Sequence, residues 1–180
     1  MKNNKGFTLI ELIAMLTVLA ILMVVTVPNI TGIINQQREN AFIEDAEKLM
    51  STAQTKLLSD RNVKKPAENN CIVMTMNFLD KGREMLKSAD GGEYLRRESF
   101  IMIKRVDKKI EYTVRLVEVN LNEEVYGIDK VDQATLEKEG TKVLGYAEEE
   151  GFNIDGISIT DLKAKDPFVN KCNEIEAIYK

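Results

Sequence analysis

Histidine and tryptophan are absent from this 180-residue chain, cysteine occurs twice and proline three times. Without histidine there is no Ser-His-Asp triad, no Cys-His nucleophile pair, and no HExxH or two-His metal site. Two cysteines are too few for a four-cysteine zinc site. Positive charge is not in surplus either. Lys and Arg number 25 against 29 Asp and Glu, a net charge of −4, which suits poorly a partner held by its phosphate backbone. Direct nucleic-acid binding is therefore not expected. The length allows one modest domain rather than several, and no internal repeat is apparent.

What is present is distributed unevenly. Residues 1–28 hold Lys2, Lys5 and Glu11 as their only charged side chains, while the remainder reads as ordinary charged globular sequence. Residues 7–27, FTLIELIAMLTVLAILMVVTV, would measure about 31 Å as a helix, close to the ~30 Å hydrocarbon thickness of a bilayer. A membrane span is the expectation. Lys2 and Lys5 precede it, while Arg38, Glu39, Glu44, Asp45 and Glu47 follow. The positive-inside tendency then keeps the N-terminus cytoplasmic and puts residues 29–180 outside. A secretory signal peptide has a similar start. It should end in a small-x-small cleavage site, which MVVTVPNI at 23–30 does not offer, and its apolar run is usually shorter.

Glu11 is the anomaly. A carboxylate within a lone span is costly unless it is neutralised or paired, and no basic residue lies in the span to pair with it. One reading has Glu11 near the interface, snorkelling or taking a proton. A sharper one places its partner on another copy of the chain. If the bond after Gly6 were cut, Phe7 would expose a new α-amino cation, and a neighbour displaced along a helical stack could set that amine against Glu11.

The string Lys5-Gly6-Phe7-Thr8-Leu9-Ile10-Glu11-Leu12 followed by an apolar helix resembles the prepilin motif of type IV pilins and the related pseudopilins. The motif covers eight residues and the compatible architecture roughly the first 60; residues beyond carry no comparable signature. The resemblance implies a pilin-like α+β fold: a long N-terminal helix, membrane-embedded in its first half, on a small antiparallel sheet. It also implies a leader, residues 1–6, removed between Gly6 and Phe7 by a prepilin peptidase that N-methylates Phe7. Glu11 would be the glutamate required for filament assembly. Pro28 matches a proline common late in the pilin span, where it removes one helical hydrogen bond and bends the axis. No glycine lies inside the span, so helix weakening would rest on Pro28 and Gly32.

Past Pro28, Ile30, Ile33, Ile34, Phe42, Ala46, Leu49, Met50, Ala53 and Leu57 recur at mostly helical spacing, so residues 29–60 read as an amphipathic continuation of the helix. Its stripe at 42–57 reads as core packing against a sheet rather than a coiled coil. A linker follows at 59–70, marked by Pro66 and a polar run. Residues 61–180 are the expected extracytoplasmic α+β head. There CIVMTM from Cys71 is a strand or the lead into a short helix over 77–87, and residues 89–92 are a turn. SFIMIKRV and IEYTVRLVEVN form an antiparallel hairpin joined by Asp107-Lys108-Lys109. In its second run Ile110, Tyr112, Val114 and Leu116 share one face, and Glu111, Thr113 and Arg115 the other. Residues 131–139 read as a short helix stopped by Gly140, with further strands at 142–146 and 156–159.

Outside the membrane the milieu often permits disulfides. A Cys71–Cys172 bridge would close a loop of about 100 residues, worth roughly 4.7 kcal/mol in the simplest chain-entropy model. The alternative is two buried thiols acting as small hydrophobes; the spacing is wider than the short C-terminal disulfide loops of many pilins. Asp129, Asp132 and Glu137, or Asn153 and Asp155, could be weighed as calcium ligands, but neither group has EF-hand spacing. Glu148 to Glu150 read as a solvated turn, and no basic stripe or catalytic cluster stands out, so neither a metal, a cofactor nor an enzymatic activity is expected.

The chain therefore reads as a bacterial filament subunit of the type IV pilus class. Its expected partners are other pilin subunits, the prepilin peptidase, the pilus assembly platform and the membrane. It is first a single-pass inner-membrane protein and then part of an extracellular or periplasmic filament. A minor pilin or a pseudopilin of a type II secretion or DNA-uptake system fits the same motif. From a different class, a membrane-anchored binding or sensor domain would fit the head.

Overall fold

The computed structural model describes residues 8–85, 87–120, 122–147, 172–173 and 175–180, with the side chains of 25–29 left aside. One helix, α1, runs Leu9–Ser59. Asp60 ends it: its N–H still bonds the Lys56 carbonyl, but its Oδ1 accepts from the Asn62 N–H and turns the chain away. By contacts the chain separates into Met1–Gln37 and Arg38–Lys180. The second unit takes in the helix from Arg38 onward because that is where a single stripe becomes buried: Phe42, Ala46, Leu49, Met50, Ala53 and Leu57.

That stripe lies on a seven-stranded sheet built from β1 (Cys71–Thr75), β2 (Glu93–Tyr94), β3 (Phe100–Val106), β4 (Lys109–Val119), β5 (Val125–Asp132), β6 (Leu144–Tyr146) and β7 (Ile175–Tyr179). The order is β6-β5-β4-β3-β1-β7, with β2 paired to the far end of β4. Two short helices interrupt it, α2 (Met76–Leu79) and α3 (Gln133–Glu139). The sheet is mixed rather than purely antiparallel, because β7 runs parallel to β1. This corrects the small antiparallel sheet expected from sequence.

Several boundaries differ from the sequence reading, each for a local reason. The hairpin turn is two residues, Asp107 and Lys108, with φ of 50° and 66°, and Lys109 already pairs with Val106. Two successive left-handed residues give a turn twisted to match its strands. The helix expected over 131–139 begins only at Gln133, since Val131 and Asp132 still pair with β4 and the Asp132 carboxylate caps α3 by accepting from the Thr135 N–H. The strand expected over 142–146 starts at Leu144, after a 3-10 turn at Gly140–Val143. The short helix expected over 77–87 reduces to α2. The strand expected at 156–159 lies outside the described residues.

The core sits mainly between α1 and the sheet, where Ile72, Met74, Ile101, Ile103, Val114, Leu116 and Ile128 meet the stripe. Phe42 is central to one end. Its ring lies 5.5 Å from Tyr94 and 6.4 Å from Tyr126, both edge-on. Gly127 makes room for it: a Cβ there would stand 2.9 Å from the Phe42 ring and closer still to the Leu116 carbonyl, at a φ of 145°. Tyr94 donates its hydroxyl to Asp45 of α1 at 2.7 Å.

The opposite sheet face is also covered, so the alternation read from sequence does not mark an outward face here. Cys71, Val73, Phe100, Met102, Cys172 and Ile175 form a second buried cluster, and Arg115 and Thr113 are buried as well. Cys71 and Cys172 are joined as a disulfide, with Cα atoms 5.8 Å apart. The bridge fastens the segment before β7 to the start of β1.

Glu118 carries a cost in this core. It is fully buried beside Tyr94, and neither carboxyl oxygen has a hydrogen-bond partner. The loop packs directly upon it, since a Cβ at Gly92 would come within 2.6 Å of Oε2. Burial first, then the negative charge of Asp90, push its pKa up; the nearby Ser88 hydroxyl offsets part of this without reaching bonding geometry. A raised carboxyl pKa means that the folded chain holds the proton to higher pH than the unfolded one. Its contribution is therefore intact below the usual carboxylate range and lost as pH rises through the folded value. Glu118→Gln should unfold at higher denaturant than the parent at about pH 8, by about 1 kcal/mol or more, and match it near about pH 4. A gap that does not change with pH would show that Glu118 does not titrate in the fold.

Candidate assembly site at the start of the first helix

The first helix begins at Leu9 because Thr8 caps it. The Thr8 Oγ1 accepts from the Glu11 N–H at 3.3 Å, while Glu11 Oε2 accepts from the Thr8 N–H and from the Thr8 hydroxyl, each at 2.8 Å. This reciprocal arrangement is a capping box, in which two backbone donors left over at a helix start are satisfied by side chains three residues apart. The Thr-x-x-Glu spacing of 8–11 was a visible signal of it. The sequence reading used Thr8 only as a member of a longer motif and missed its role.

The box uses one oxygen of Glu11. Among the described residues Oε1 accepts no hydrogen bond. From there to Val24 the described side chains present no other polar partner. Thr17 returns its hydroxyl to the Ala14 carbonyl at 2.8 Å, and Leu9, Ile10, Leu12, Ile13, Met15, Leu16 and their successors are exposed. An exposed apolar surface of this extent marks a site of contact with protein or lipid. It includes a shallow groove floored by Ala14 between Met15, Val18 and Leu19, with no polar side chain in it.

Pro28 and Gly32 both fall inside α1, which continues unbroken through them. Pro28 has no N–H to give the preceding turn. Gly32 is not required by packing, since a Cβ there would meet nothing within 4 Å. Gly6 and Phe7 lie outside the described residues. Among the described residues no helix is long and apolar enough to cross a membrane.

The carboxylates considered as calcium ligands have other work. Asp129 pairs with the buried Arg115, Asp132 caps α3, and Glu137 accepts from Gln133 at 2.8 Å. No group of three metal-ligating side chains comes together among the described residues. Asn153 and Asp155, with Glu148 to Glu150, fall outside them.

Residues 1–27 match the family model of the prokaryotic N-terminal methylation motif, the signal carried by type IV pilins and prepilin-like proteins. No curated protein and no solved structure matches the chain.

The capping box predicts a local effect. In detergent micelles, Thr8→Ala should speed amide hydrogen exchange at Glu11 by about fivefold, and Thr8→Ser should restore protection. Unchanged exchange in Thr8→Ala would mean that Thr8 does not hold the helix start.

Proposed function

We propose that this chain is a structural subunit of a type IV pilus or a related pseudopilus filament. The observation that carries this reading is the methylation motif over residues 1–27, with one acid, Glu11, at the head of the long apolar run that opens α1. In the proposed sequence, residues 1–6 are a leader, removed between Gly6 and Phe7 by a prepilin peptidase that then methylates the new Phe7 amine. A methylated amine keeps its positive charge. Residues 7–27 hold the precursor in the cytoplasmic membrane until an assembly platform transfers it into a bundle of like helices.

In that bundle apolar contact between helices replaces contact with lipid, which costs little because the two environments are similarly apolar. Selectivity then has to come from polar groups. Glu11 supplies one, and the Phe7 amine of an adjacent copy supplies its complement. The capping box does not compete for both oxygens: with Oε2 taken by Thr8, Oε1 stays open for the incoming cation. A head-to-tail contact of this kind does not close on itself, so it propagates as a helical fibre. Pro28 and Gly32 mark where the helix yields as subunits are drawn together. The head, residues 61–180 with the helix face beneath it, carries no catalytic role in this reading.

Two measurements test it. Mass spectrometry of the membrane-extracted protein should find a chain starting at Phe7 with a methyl group on its amine, and an intact Met1 in assembly-competent cells would overturn the processing step. Glu11→Ala should reach the membrane in normal amount and enter filaments at a small fraction of the parent level. Normal incorporation of that variant would remove Glu11 from the mechanism.

A further inference from the structure

A second polar site lies in the head, between the α2–β2 loop and the start of β3, remote in role from filament assembly. Asn77, Arg83, Tyr94, Leu95, Arg96, Arg97 and Glu98 line a cleft of about 380 Å³. Three arginines around one cleft are notable in a chain of net charge −4.

The cleft is built rather than accidental. Arg96 is the strut: its Nε donates to Asn77 Oδ1 at 3.1 Å, its Nη1 to Asp80 Oδ2 at 2.8 Å and to the Met85 carbonyl at 3.2 Å, and its Nη2 to the Asp80 carbonyl at 2.6 Å. Asp80 in turn accepts from the Glu84 and Met85 N–H groups, which folds the loop 80–85 into a tight knot. Burial works against the Asp80 anion, but these donors hold its pKa below the usual range, so the knot stays charged near neutrality.

Two consequences follow for the groups lining the cleft. The Asn77 amide is oriented, since its oxygen faces Arg96; its Nδ2 is left with donors that no described residue accepts. Arg83 is presented with a backbone φ of 53°, a conformation that costs an arginine free energy, and its guanidinium has no partner among the described residues. The Arg83 N–H closes the turn on the Asp80 carbonyl at 3.1 Å, which fixes where the exposed side chain leaves the loop. Arg96 is already neutralised by Asp80, so the cleft's available donors among the described residues are those of Asn77 and Arg83.

We propose that this cleft binds a carboxylate carried on an apolar group, held by the Arg83 guanidinium and the Asn77 Nδ2 with Leu95 against its apolar part. A planar carboxylate matches an arginine fork in two parallel hydrogen bonds. Inorganic phosphate lacks an apolar group for Leu95 to cover, and its tetrahedral oxygens do not present the planar pair that matches the Arg83 fork.

The test is a titration of the full-length ¹⁵N-labelled protein in detergent micelles with N-acetylleucinate, and in parallel with inorganic phosphate at matched ionic strength. The Asn77 side-chain amide and the Arg83 Nε–H should shift saturably with N-acetylleucinate. Arg83→Gly should weaken that binding by about tenfold or more. Its melting temperature should be equal or higher, since glycine accepts the left-handed backbone without strain. Asn77→Ala should also weaken it. No saturable shift, or undiminished affinity in Arg83→Gly, would overturn the site. Phosphate binding as tight as N-acetylleucinate would overturn the carboxylate assignment.

Discussion

A carboxylate at the head of an apolar helix needs a partner, and Glu11 has half of one within its own chain. Thr8 fills one oxygen through its N–H and hydroxyl and in doing so fixes where the helix begins. The other oxygen accepts no hydrogen bond among the described residues, and in the proposed assembly an adjacent copy supplies its partner. Everything proposed about assembly follows from that division. An apolar helix surface associates with any similar surface, so the acid is what restricts contact to a copy with a cation in the right place. In the proposed mechanism leader removal creates that cation, which would couple assembly to processing without a further signal.

The head answers a different constraint. Its helix stripe and its sheet bury one another only because small residues allow close approach at a few points. Gly127 leaves the volume that Phe42 fills, and Ala46 and Ala53 let the helix backbone lie near the sheet. Tyr94 then links this packing to the polar loop by bonding Asp45 while its strand holds Glu118 under the turn at Gly92. The disulfide secures the last strand, whose parallel placement beside β1 has no short hairpin to hold it in register.

Much of this was legible in the sequence where a single physical signal dominated. The long helix followed from apolar periodicity, the β3–β4 hairpin from two β-branched runs, and the candidate site from a lone acid in an apolar segment. The misses arose where signals conflicted. β5 was not anticipated because VYGIDKVD carries Asp129, Lys130 and Asp132, and Lys130, with a φ of 57°, sits where the strand's register shifts. The hairpin turn was read one residue too long, since Asp-Lys lacks the glycine or asparagine that usually announces two left-handed positions. Burial of Arg115 was invisible because charged residues alternating with apolar ones ordinarily mark a solvated face, and Glu118, in phase with Val114 and Leu116, is a carboxylate where the pattern calls for an apolar side chain. Here both faces are covered. The Arg96–Asp80 knot joins residues 16 apart, a partnership that no local pattern encodes.

The pairing of Glu11 with the Phe7 amine of an adjacent copy is the claim that matters most, and it can be read directly. Filaments assembled from a mixture of two preparations, one with ¹³C-labelled glutamate and the other with ¹⁵N-labelled phenylalanine, should give a solid-state NMR correlation between a glutamate carboxyl carbon and an α-amino nitrogen, lost in filaments doped with Glu11→Ala chains as the labelled glutamate source. Such filaments without any carboxyl to α-amino transfer between differently labelled copies would contradict the account.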